Sequence, residues 1–429
     1  MSIKQKIATY FEDEKLLFKI AGVVSALWVV AQIVLITCFW GYPQRGDMSV
    51  YISMAYRCFA NNEWYPMAED IYSVYIFAPG FINYLILQFH IFGTVNFNAV
   101  LNLFLNVAML FEIYYLGKKF FSKRTGLISA IIFCLLYSNL IIVLGANTEN
   151  PFLFLCLSAL CLVFSGKWRY IILAGILFAL ANWIRPLVII FLFASIVYFV
   201  ITKTKIYNYV ALIIPYIVIL LAIGTLTENK IGYFVYQSTT FGINLLITSH
   251  DNARGNVVHH QHLEVDDIYD SHLLSFAEKD SIWKTRSFKW IKEHPVKYIT
   301  LFFIKIPILY VHDAWGGMSH FDEEALTAKF MQGDSTLKYA VIKKIASNIM
   351  QSIPYYLTFL FFFYAWWVNR KQLLSIKSIF LVIFISGTVI TCIFPASPRY
   401  HYPFLFPVII YAAWGIDTLI EKLTKKKLE

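Results

Sequence analysis

The sequence predicts an all-α polytopic membrane protein, and three observations support that prediction. The chain has 429 residues, of which 59% are hydrophobic and 14% are charged, a balance that leaves too few polar residues to cover a water-soluble domain. Its mean hydropathy is +0.62. Apolar runs of about 18 or more residues recur along it, which is the length that an α-helix needs to cross a bilayer.

The apolar runs place the predicted spans. Candidate spans cover residues 18–40, 97–116, 125–145, 150–166, 169–184, 186–202, 207–227, 297–313, 351–368, 376–394 and 401–419. We therefore expect a bundle of about 10–11 transmembrane helices. The run from Tyr75 to Phe92 is also apolar but is interrupted by Pro79, Asn83 and Gln88. We expect it to lie on the outer face or to dip into it.

Basic residues set the predicted orientation. Lysines near the start of the chain predict a cytoplasmic N-terminus, and the basic stretch GKKFFSKR at 117–124 predicts a cytoplasmic turn. This orientation puts Asp47, Glu149, Arg185 and Arg399 on the outside. The last part of the chain is harder to trace, because residues 297–313 must be re-entrant or interfacial unless the C-terminal half is inverted. The side on which the 313–350 loop lies stays open.

The spans divide the chain into three predicted parts. Residues 1–227 form a transmembrane module with a first outer loop at 41–96. Residues 228–296 form an outer segment that is large enough to fold as a cap. Residues 297–429 form a second transmembrane module.

Several other classes are not supported by the sequence. The net charge of +10 is explained by basic cytoplasmic loops, and no nucleic-acid-binding motif accompanies it. Five of the six cysteines fall in apolar runs, which is not a disulfide framework. His259, His260 and His262 lack the partner ligands of a zinc motif. No P-loop, dinucleotide fingerprint or nucleophile elbow occurs.

The first candidate functional residue is Asp47, a carboxylate a few residues beyond the end of the first apolar run. One helix face is predicted by the spacing of the residues that follow it, Tyr51, Met54, Ala55, Cys58 and Phe59. A helix lying along the bilayer surface would hold Asp47 at the water–lipid boundary. The spacing leaves open the alternative that Asp47 simply caps this helix.

Further acids lie on the same predicted face. Glu69 and Asp70 could bind a divalent cation, or they could belong to a solvated loop. Glu149 stands just before Pro151 at the start of another apolar run. It could cap that helix, or it could face one pocket together with Asp47.

Cations near the outer face form another group of candidates, namely Arg185, Arg254, Lys305 and Arg399. Arginine suits a phosphate group because its planar fork bonds two oxygens at once. The alternative for Arg185 and Arg399 is contact with lipid head groups.

Taken in order, several segments resemble those of the GT-C glycosyltransferases that use lipid-linked sugars, a group that includes bacterial aminoarabinose transferases and protein O-mannosyltransferases. The resemblance is carried by GDMSVYISMA (46–55), YIFAPGFINYL (75–85), YLGKKFFSKRTGLISA (115–130), NTENPFLFL (147–155), NWIRP (182–186), GINLLITSHDNARGN (242–256) and PRYHYPFLFP (398–407). The chain departs from the family at 77–79, where Phe-Ala-Pro replaces a motif that often has a basic residue before proline.

The resemblance implies a GT-C-like bundle with interfacial helices in its outer loops. It implies a polyprenyl-phosphate-linked sugar donor and an inverting displacement in which polyprenyl phosphate leaves. Asp47 becomes the candidate general base and Glu149 the second catalytic carboxylate. The residues that could bind the phosphate or the sugar are Arg185, Arg254, Lys305, Arg399, Tyr400 and Tyr51.

The resemblance requires no cofactor but leaves a divalent cation open, with Glu69 as its candidate ligand. It implies an integral protein of the bacterial inner membrane whose active site faces the periplasm. The acceptor, whether glycan, lipid or protein, and the sugar are not indicated. Two rival functions stay open at this stage: a transporter or flippase of lipid-linked glycans, and a protein of the O-antigen polymerase or ligase type.

Overall fold

The computed structural model describes residues 13–256, 266–269, 271–314, 345–372 and 375–425. Regular structure in these ranges is helical, apart from one isolated parallel bridge between Asn256 and Ala396. The prediction of an all-α chain is confirmed. The histidines at 259, 260 and 262 and most of the 313–350 loop lie outside the described residues.

The helices are numbered here in chain order. The first nine are α1 (Glu14–Cys38), α2 (Asp47–Ala60), α3 (Pro79–Phe92), α4 (Asn98–Phe120), α5 (Lys123–Leu135), α6 (Tyr137–Ile141), α7 (Glu149–Phe164), α8 (Trp168–Ile184) and α9 (Ile189–Ile201). They are followed by α10 (Ile206–Ile231), α11 (Phe241–Leu246), α12 (Asp266–Tyr269), α13 (Phe276–Glu293), α14 (Pro295–Tyr310), α15 (Ile353–Val368), α16 (Ile379–Ile393) and α17 (Leu405–Lys425). A 3₁₀ helix, Pro398–Phe404, leads into α17.

Each predicted span coincides with a helix or a helix pair. In the described chain, five helical segments are long and apolar enough to cross a membrane: α1, α4, α10, Ile376–Ile393 and Pro398–Thr424. A sixth is α5 with the segment Tyr137–Leu144, if this pair, bent by 67°, is one span. The shorter apolar helices α7, α8, α9 and α15 match four further predicted spans, and residues 297–313 fall on α14. Together these helices make the chain a polytopic membrane protein.

The apolar run from Tyr75 to Phe92 forms the short helix α3. Its 14 residues rise by about 21 Å, which is less than the roughly 30 Å of a hydrocarbon core. It packs against α2 and α8, and nine of its residues are buried. Since α9, with 13 residues, is no longer, length does not set α3 apart, and its position on the outer face stays a prediction.

Burial separates a central helix from a peripheral one. In the segment Pro398–Thr424, which contains α17, 83% of the most apolar 18-residue stretch is buried inside the protein. In α10 only 11% of the corresponding stretch is buried. Helix α17 packs against α5 and α15, while α10 packs chiefly against α8. The exposed Ile214, Val218 and Leu221 of α10 belong to the surface that a bilayer would cover.

A ladder of asparagines holds the bent segment after α5. Asn98, Asn102 and Asn106 are four residues apart on α4 and therefore share one face. Their side-chain amides donate to backbone carbonyl oxygens. Asn106 donates to Asn139 at 3.2 Å. Asn98 and Asn102 both donate to Gly145, at 3.2 Å and 2.9 Å respectively. Non-helical backbone inside an apolar bundle needs such partners, because an unpaired carbonyl there is costly. The ladder thereby fixes the segment that leads into α7.

The segment between α10 and α14 folds against the first loop. Its small apolar core consists of Ile243, Leu246, Ile247, Ile268 and Trp283, against which Val74 and Tyr75 pack. The buried Lys279 adds a polar link, since its ammonium group donates to the carbonyl oxygens of Tyr72 and Ser73 at 3.1 and 3.3 Å. These contacts agree with a cap, although the division of the chain into three parts stays a prediction.

Candidate active site

Asp47 begins α2 without capping it. The residue before it, Gly46, has a φ of +57° and occupies the N-cap position, and no side-chain hydrogen bond caps the helix. The carboxylate of Asp47 instead accepts a hydrogen bond from Arg399, with 3.0 Å between Oδ2 and Nη1. Its side chain is 49% exposed. The structure therefore does not support the alternative that the Asp47 side chain caps α2.

Glu149 begins α7 and is fully enclosed, with no exposed side-chain surface. Its Oε1 accepts from Arg185 Nη1 at 2.5 Å and from Arg399 Nε at 2.6 Å, and its Oε2 accepts from Arg399 Nη2 at 2.9 Å. A buried carboxylate is stable when it is paired and hydrogen-bonded, because isolated charge in the interior loses its hydration. Two guanidinium groups provide that pairing here.

Arg399 joins the two acids across the bundle. It lies in the 3₁₀ helix before α17, so the start of α2, the start of α7 and this turn meet at one end of the molecule. Arg185 completes the group from the end of α8, and its guanidinium carbon lies 5.4 Å from the centre of the Tyr400 ring. We call Asp47, Glu149, Arg185 and Arg399 the Asp47 cluster.

Tyr51 anchors the helix that carries Asp47. It follows Asp47 by one helical turn, is buried, and packs against Phe77 and Phe81 with ring centres 4.7 and 5.3 Å away. Burial, assisted by the charge of Asp47, raises the pKa of the Tyr51 hydroxyl. The hydroxyl, protonated at neutral pH in any tyrosine of ordinary pKa, keeps its capacity to donate a hydrogen bond.

The charges of the Asp47 cluster balance, but its two carboxylates are not equivalent. Glu149 makes ion pairs with both arginines and is closed to solvent, whereas Asp47 pairs with Arg399 at its edge and is half exposed. An accessible carboxylate can take a proton from an incoming hydroxyl. Guanidinium groups beside it can stabilise an oxyanion or a phosphate.

Two predicted phosphate ligands lie apart from this cluster. Lys305 is buried, and its ammonium group donates to the carbonyl oxygens of Cys392 and Ile393 at 3.0 and 3.4 Å. Arg254 is exposed. In the described residues neither of them forms an ion pair with Asp47 or Glu149. Their assignment to the phosphate stays a prediction.

The candidate metal ligand Glu69 pairs with a cation instead. Its carboxylate lies 3.2 Å from Arg57 Nη1, and the adjacent Asp70 also pairs with Arg57. Asp70 Oδ2 further accepts from the backbone N–H of Met67 at 2.8 Å. No group of three or more His, Cys, Asp or Glu side chains suited to a metal ion is found among the residues that the structure describes. These residues do not fit a metal site.

The structure adds residues that the sequence reasoning missed. Thr148 accepts a hydrogen bond from Arg185 at 3.1 Å and so helps to aim it at Glu149. The asparagine ladder of α4 fixes the segment that leads to Glu149, and one of its members, Asn102, also accepts from the side chain of Asn150 at 3.1 Å. A signal for the ladder was present in NAVLNLFLN, where asparagine recurs at every fourth position of an apolar run.

Comparison with known proteins identifies one family. Residues 78–231 match the family described as dolichyl-phosphate-mannose-protein mannosyltransferase. This range is less than half of the chain and contains Glu149 and Arg185, while Asp47 and Arg399 lie outside it. No curated protein matches the chain in sequence.

Solved structures of an oligosaccharyltransferase from Archaeoglobus fulgidus are also similar. One is its crystal structure in complex with Zn and sulfate, and another is that of AglB in complex with an inhibitory peptide and a dolichol-phosphate. Each is 12% identical with a TM-score of 0.47, and the matches cover 93% and 94% of this chain. The chain spans about half of the length of those proteins, 49% and 51%. At this level of similarity they add no argument, and it is the family match that confirms the resemblance to the GT-C glycosyltransferases.

Proposed function

We propose that the protein is an integral membrane glycosyltransferase that moves a sugar from a polyprenyl-phosphate donor to an acceptor hydroxyl, with inversion at the anomeric carbon. The observation that best supports this proposal is the Asp47 cluster. It combines an accessible carboxylate with two guanidinium groups at one end of a bundle of apolar helices. The family match independently supports transfer from a lipid-linked donor.

Asp47 is the general base of the proposed reaction. As the acceptor oxygen attacks the anomeric carbon, Asp47 takes the hydroxyl proton. The bond between that carbon and the phosphate oxygen breaks, and its electrons leave with polyprenyl phosphate. Base catalysis of this kind typically contributes about 10²–10⁴-fold to the rate. Exposure favours Asp47 over Glu149 for this role, because the Glu149 carboxylate is enclosed by its two arginines.

The arginines stabilise the leaving phosphate. A guanidinium group carries five N–H donors, and Arg399 uses three nitrogens in its contacts with Glu149 and Asp47. Its two terminal nitrogens each carry a second N–H, and we assign these donors to the phosphate oxygens. Glu149 holds Arg185 and Arg399 in place, so the cations are oriented before the donor arrives.

The proposed location of the site is the periplasmic side of a bacterial inner membrane. Helix α1 has 25 residues and rises by about 37 Å, so its two ends lie at opposite ends of the bundle. Glu14, at its start, pairs with Lys123 of the basic turn at 3.1 Å, while Asp47 follows its other end. Basic turns favour the cytoplasmic side, which supports the proposal that Asp47 lies outside.

A direct test is to incubate the purified full-length protein with a panel of polyprenyl-monophosphate sugars and to quantify released polyprenyl phosphate. We expect release with at least one donor, and we expect Asp47→Asn to lower it by about 10²–10⁴-fold while the thermal unfolding temperature stays near that of wild type. Retained turnover in Asp47→Asn would remove Asp47 from the role of base. Movement of the intact lipid across vesicles without release would indicate the rival flippase function.

A further inference from the structure

A buried histidine, two residues beyond Arg399, pairs with a buried aspartate. His401 lies in the same 3₁₀ helix as Arg399, and Asp313 lies three residues beyond Tyr310, where α14 ends. Neither the His401 nor the Asp313 side chain has any exposed surface. Their facing atoms, His401 Nε2 and Asp313 Oδ1, are 3.6 Å apart. The pair therefore joins the turn that carries Arg399 to the end of α14.

The other ring nitrogen of His401 determines where one hydrogen lies. Nδ1 is 2.8 Å from the backbone carbonyl oxygen of Leu309. A carbonyl oxygen only accepts, so Nδ1 carries a hydrogen and donates it. In a neutral imidazole one nitrogen is a donor and the other is an acceptor. A neutral His401 would therefore point a lone pair at the Asp313 carboxylate, which is itself an acceptor.

The Asp313 carboxylate needs a counter-charge. Its Oδ2 accepts from the backbone N–H of Ser138 at 3.0 Å, but its Oδ1 has no hydrogen-bond partner among the described residues. No lysine or arginine in that part of the chain forms an ion pair with it. An isolated carboxylate in the interior is costly, because it loses its hydration without gaining a partner. His401 is the group placed to supply the positive charge.

We propose that His401 is an imidazolium ion paired with the Asp313 carboxylate, and that this ion pair positions Arg399. A distance of 3.6 Å is too long for a hydrogen bond but allows attraction between opposite charges. The inference rests on the proposed function, because there Arg399 holds the base Asp47 and stabilises the leaving phosphate.

Both members of the pair are held by the fold. The His401 ring packs against the rings of Tyr310 and Tyr355, with centres 5.6 and 5.3 Å away. The backbone N–H of Asp313 donates to the hydroxyl of Ser352 at 3.0 Å. Side chains that are fixed by packing and hydrogen bonds pre-organise the groups that they support. The pair is therefore a firm attachment for the turn.

The turn is held in two directions. A 3₁₀ helix has 3.0 residues per turn, so neighbouring side chains point about 120° apart. Arg399 and His401, two positions apart, therefore point in different directions. Arg399 reaches Glu149 and Asp47, while His401 reaches the end of α14. Loss of the ion pair would free the turn on one side and let the Arg399 guanidinium shift from its place between the acids.

Protonation of His401 can be measured without any substrate. The experiment is ¹⁵N NMR of the purified full-length protein, labelled at histidine, in detergent at pH about 7.5, where an ordinary histidine is about 90% neutral. The chain has 10 histidines, and the His401 signals are those that a double variant, His401→Phe with Asp313→Asn, lacks. We expect hydrogen on both ring nitrogens of His401 in wild type. A neutral His401 in wild type would overturn the inference.

Asp313→Asn changes the pair in a defined way. The asparagine N–H can donate to Nε2 of a neutral His401, while its oxygen can still accept from Ser138. We therefore expect hydrogen on one ring nitrogen of His401 in this variant. Two ring hydrogens in Asp313→Asn would show that Asp313 does not hold the proton and would overturn the ion pair.

The positioning role is measured by polyprenyl phosphate release. Asp313→Ala removes the partner of His401, and we expect turnover to fall by about 10–100-fold, as for the loss of one contact between charged groups. Asp313→Asn restores a contact at the same place and should recover most of that turnover. The matched control is His294→Phe, which removes an exposed histidine that stacks on Trp290 at 4.9 Å and contacts its carbonyl oxygen at 3.1 Å. Turnover of this control should stay near that of wild type.

The outcomes separate this inference from the proposed function. Wild-type turnover in folded Asp313→Ala, or no recovery in folded Asp313→Asn, would overturn the positioning role. If wild type releases polyprenyl phosphate and Asp47→Asn does not, that result would leave the proposed function standing. A doubly protonated His401 in a protein that cleaves no donor would support the ion pair and overturn the proposed function.

Discussion

Two polar clusters at opposite ends of the bundle use similar groups in different ways. At the end where α1 begins, Asp417 accepts hydrogen bonds from Ser122 at 2.6 Å and Thr125 at 2.8 Å and pairs with Arg124. Arg124 also pairs with Glu421 at 2.9 Å. We call these residues the Asp417 cluster. At the other end, the Asp47 cluster joins two acids to two arginines.

The two clusters differ in which carboxylate is exposed to solvent and in how many of its hydrogen-bonding positions are already occupied. The Asp417 side chain is 5% exposed and is saturated by three partners, so it joins α5 to α17. Its exposed neighbour Glu421 pairs with Arg124 at 2.9 Å. In the Asp47 cluster the exposed acid shares its arginine with a buried acid. A saturated cluster holds helices together, whereas an open one can also take part in chemistry.

The largest expected effect in this comparison comes from Glu149→Gln. The substitution leaves Arg185 and Arg399 without the buried carboxylate that pairs them, and breaking a buried pair in this way typically costs about 3–5 kcal/mol. We expect the free energy of unfolding to fall by that amount and donor cleavage to be lost. Thermal unfolding followed by circular dichroism, together with polyprenyl phosphate release, measures both. Unchanged stability would mean that Glu149 does not organise the arginines.

Asp417→Asn should show the contrasting outcome. The asparagine keeps acceptor capacity toward Ser122 and Thr125 but loses the charge that pairs with Arg124, for which we expect a loss of about 2–3 kcal/mol. Turnover per folded molecule should stay near that of wild type, because this cluster lies at the far end of the bundle. A specific loss of turnover in folded Asp417→Asn would contradict the division into structural and chemical clusters.

Arg399→Lys tests the bridge between the acids. Lysine keeps the positive charge but not the planar fork that holds Glu149 and Asp47 together. We expect turnover to fall by about 10–100-fold, since hydrogen bonds to charged groups are worth about 1.5–3 kcal/mol. The matched control is Arg57→Lys, which alters the arginine that pairs with Glu69 and Asp70. Equal losses of turnover in both variants would show that the effect is not specific to the Asp47 cluster.

The smallest expected effect is that of Glu69→Gln. Its side chain is 61% exposed and its partner Arg57 is 39% exposed, and exposed pairs of this kind contribute about 0–1 kcal/mol. We expect stability to stay within about 1 kcal/mol of wild type and turnover to show the same response to added Mn²⁺ or EDTA as in wild type. A changed response to the metal in this variant would restore Glu69 as a metal ligand.

Much of the fold could be predicted from the sequence because apolar length and basic turns are local signals. The runs at 18–40, 97–116 and 207–227 each fall on one long helix. The bend at 136 was not predicted, since distant side chains pair the backbone that follows it: Asp313 accepts from the N–H of Ser138 at 3.0 Å, and Asn106 donates to the carbonyl oxygen of Asn139 at 3.2 Å. Local patterns cannot show which distant side chain will satisfy a carbonyl.

The site was predicted in part for the same reason. Asp47, Glu149, Arg185 and Arg399 each stand where an apolar run begins or ends, and that position is visible in the sequence. The sequence did not show which of the four candidate cations would contact the acids. Lys305 also lies in an apolar run, yet its ammonium group donates to the carbonyl oxygens of Cys392 and Ile393 instead. Partner choice depends on packing between segments that are far apart in the chain.

The central claim is that the exposed carboxylate of the Asp47 cluster performs the chemistry. The most direct measurement compares polyprenyl phosphate release by Asp47→Asn and Glu421→Gln, which neutralise acids of similar exposure, 49% and 52%, at opposite ends of the bundle. We predict a loss of about 10²–10⁴-fold for Asp47→Asn and turnover near that of wild type for Glu421→Gln, with both proteins folded. Equal turnover in the two variants would contradict the assignment.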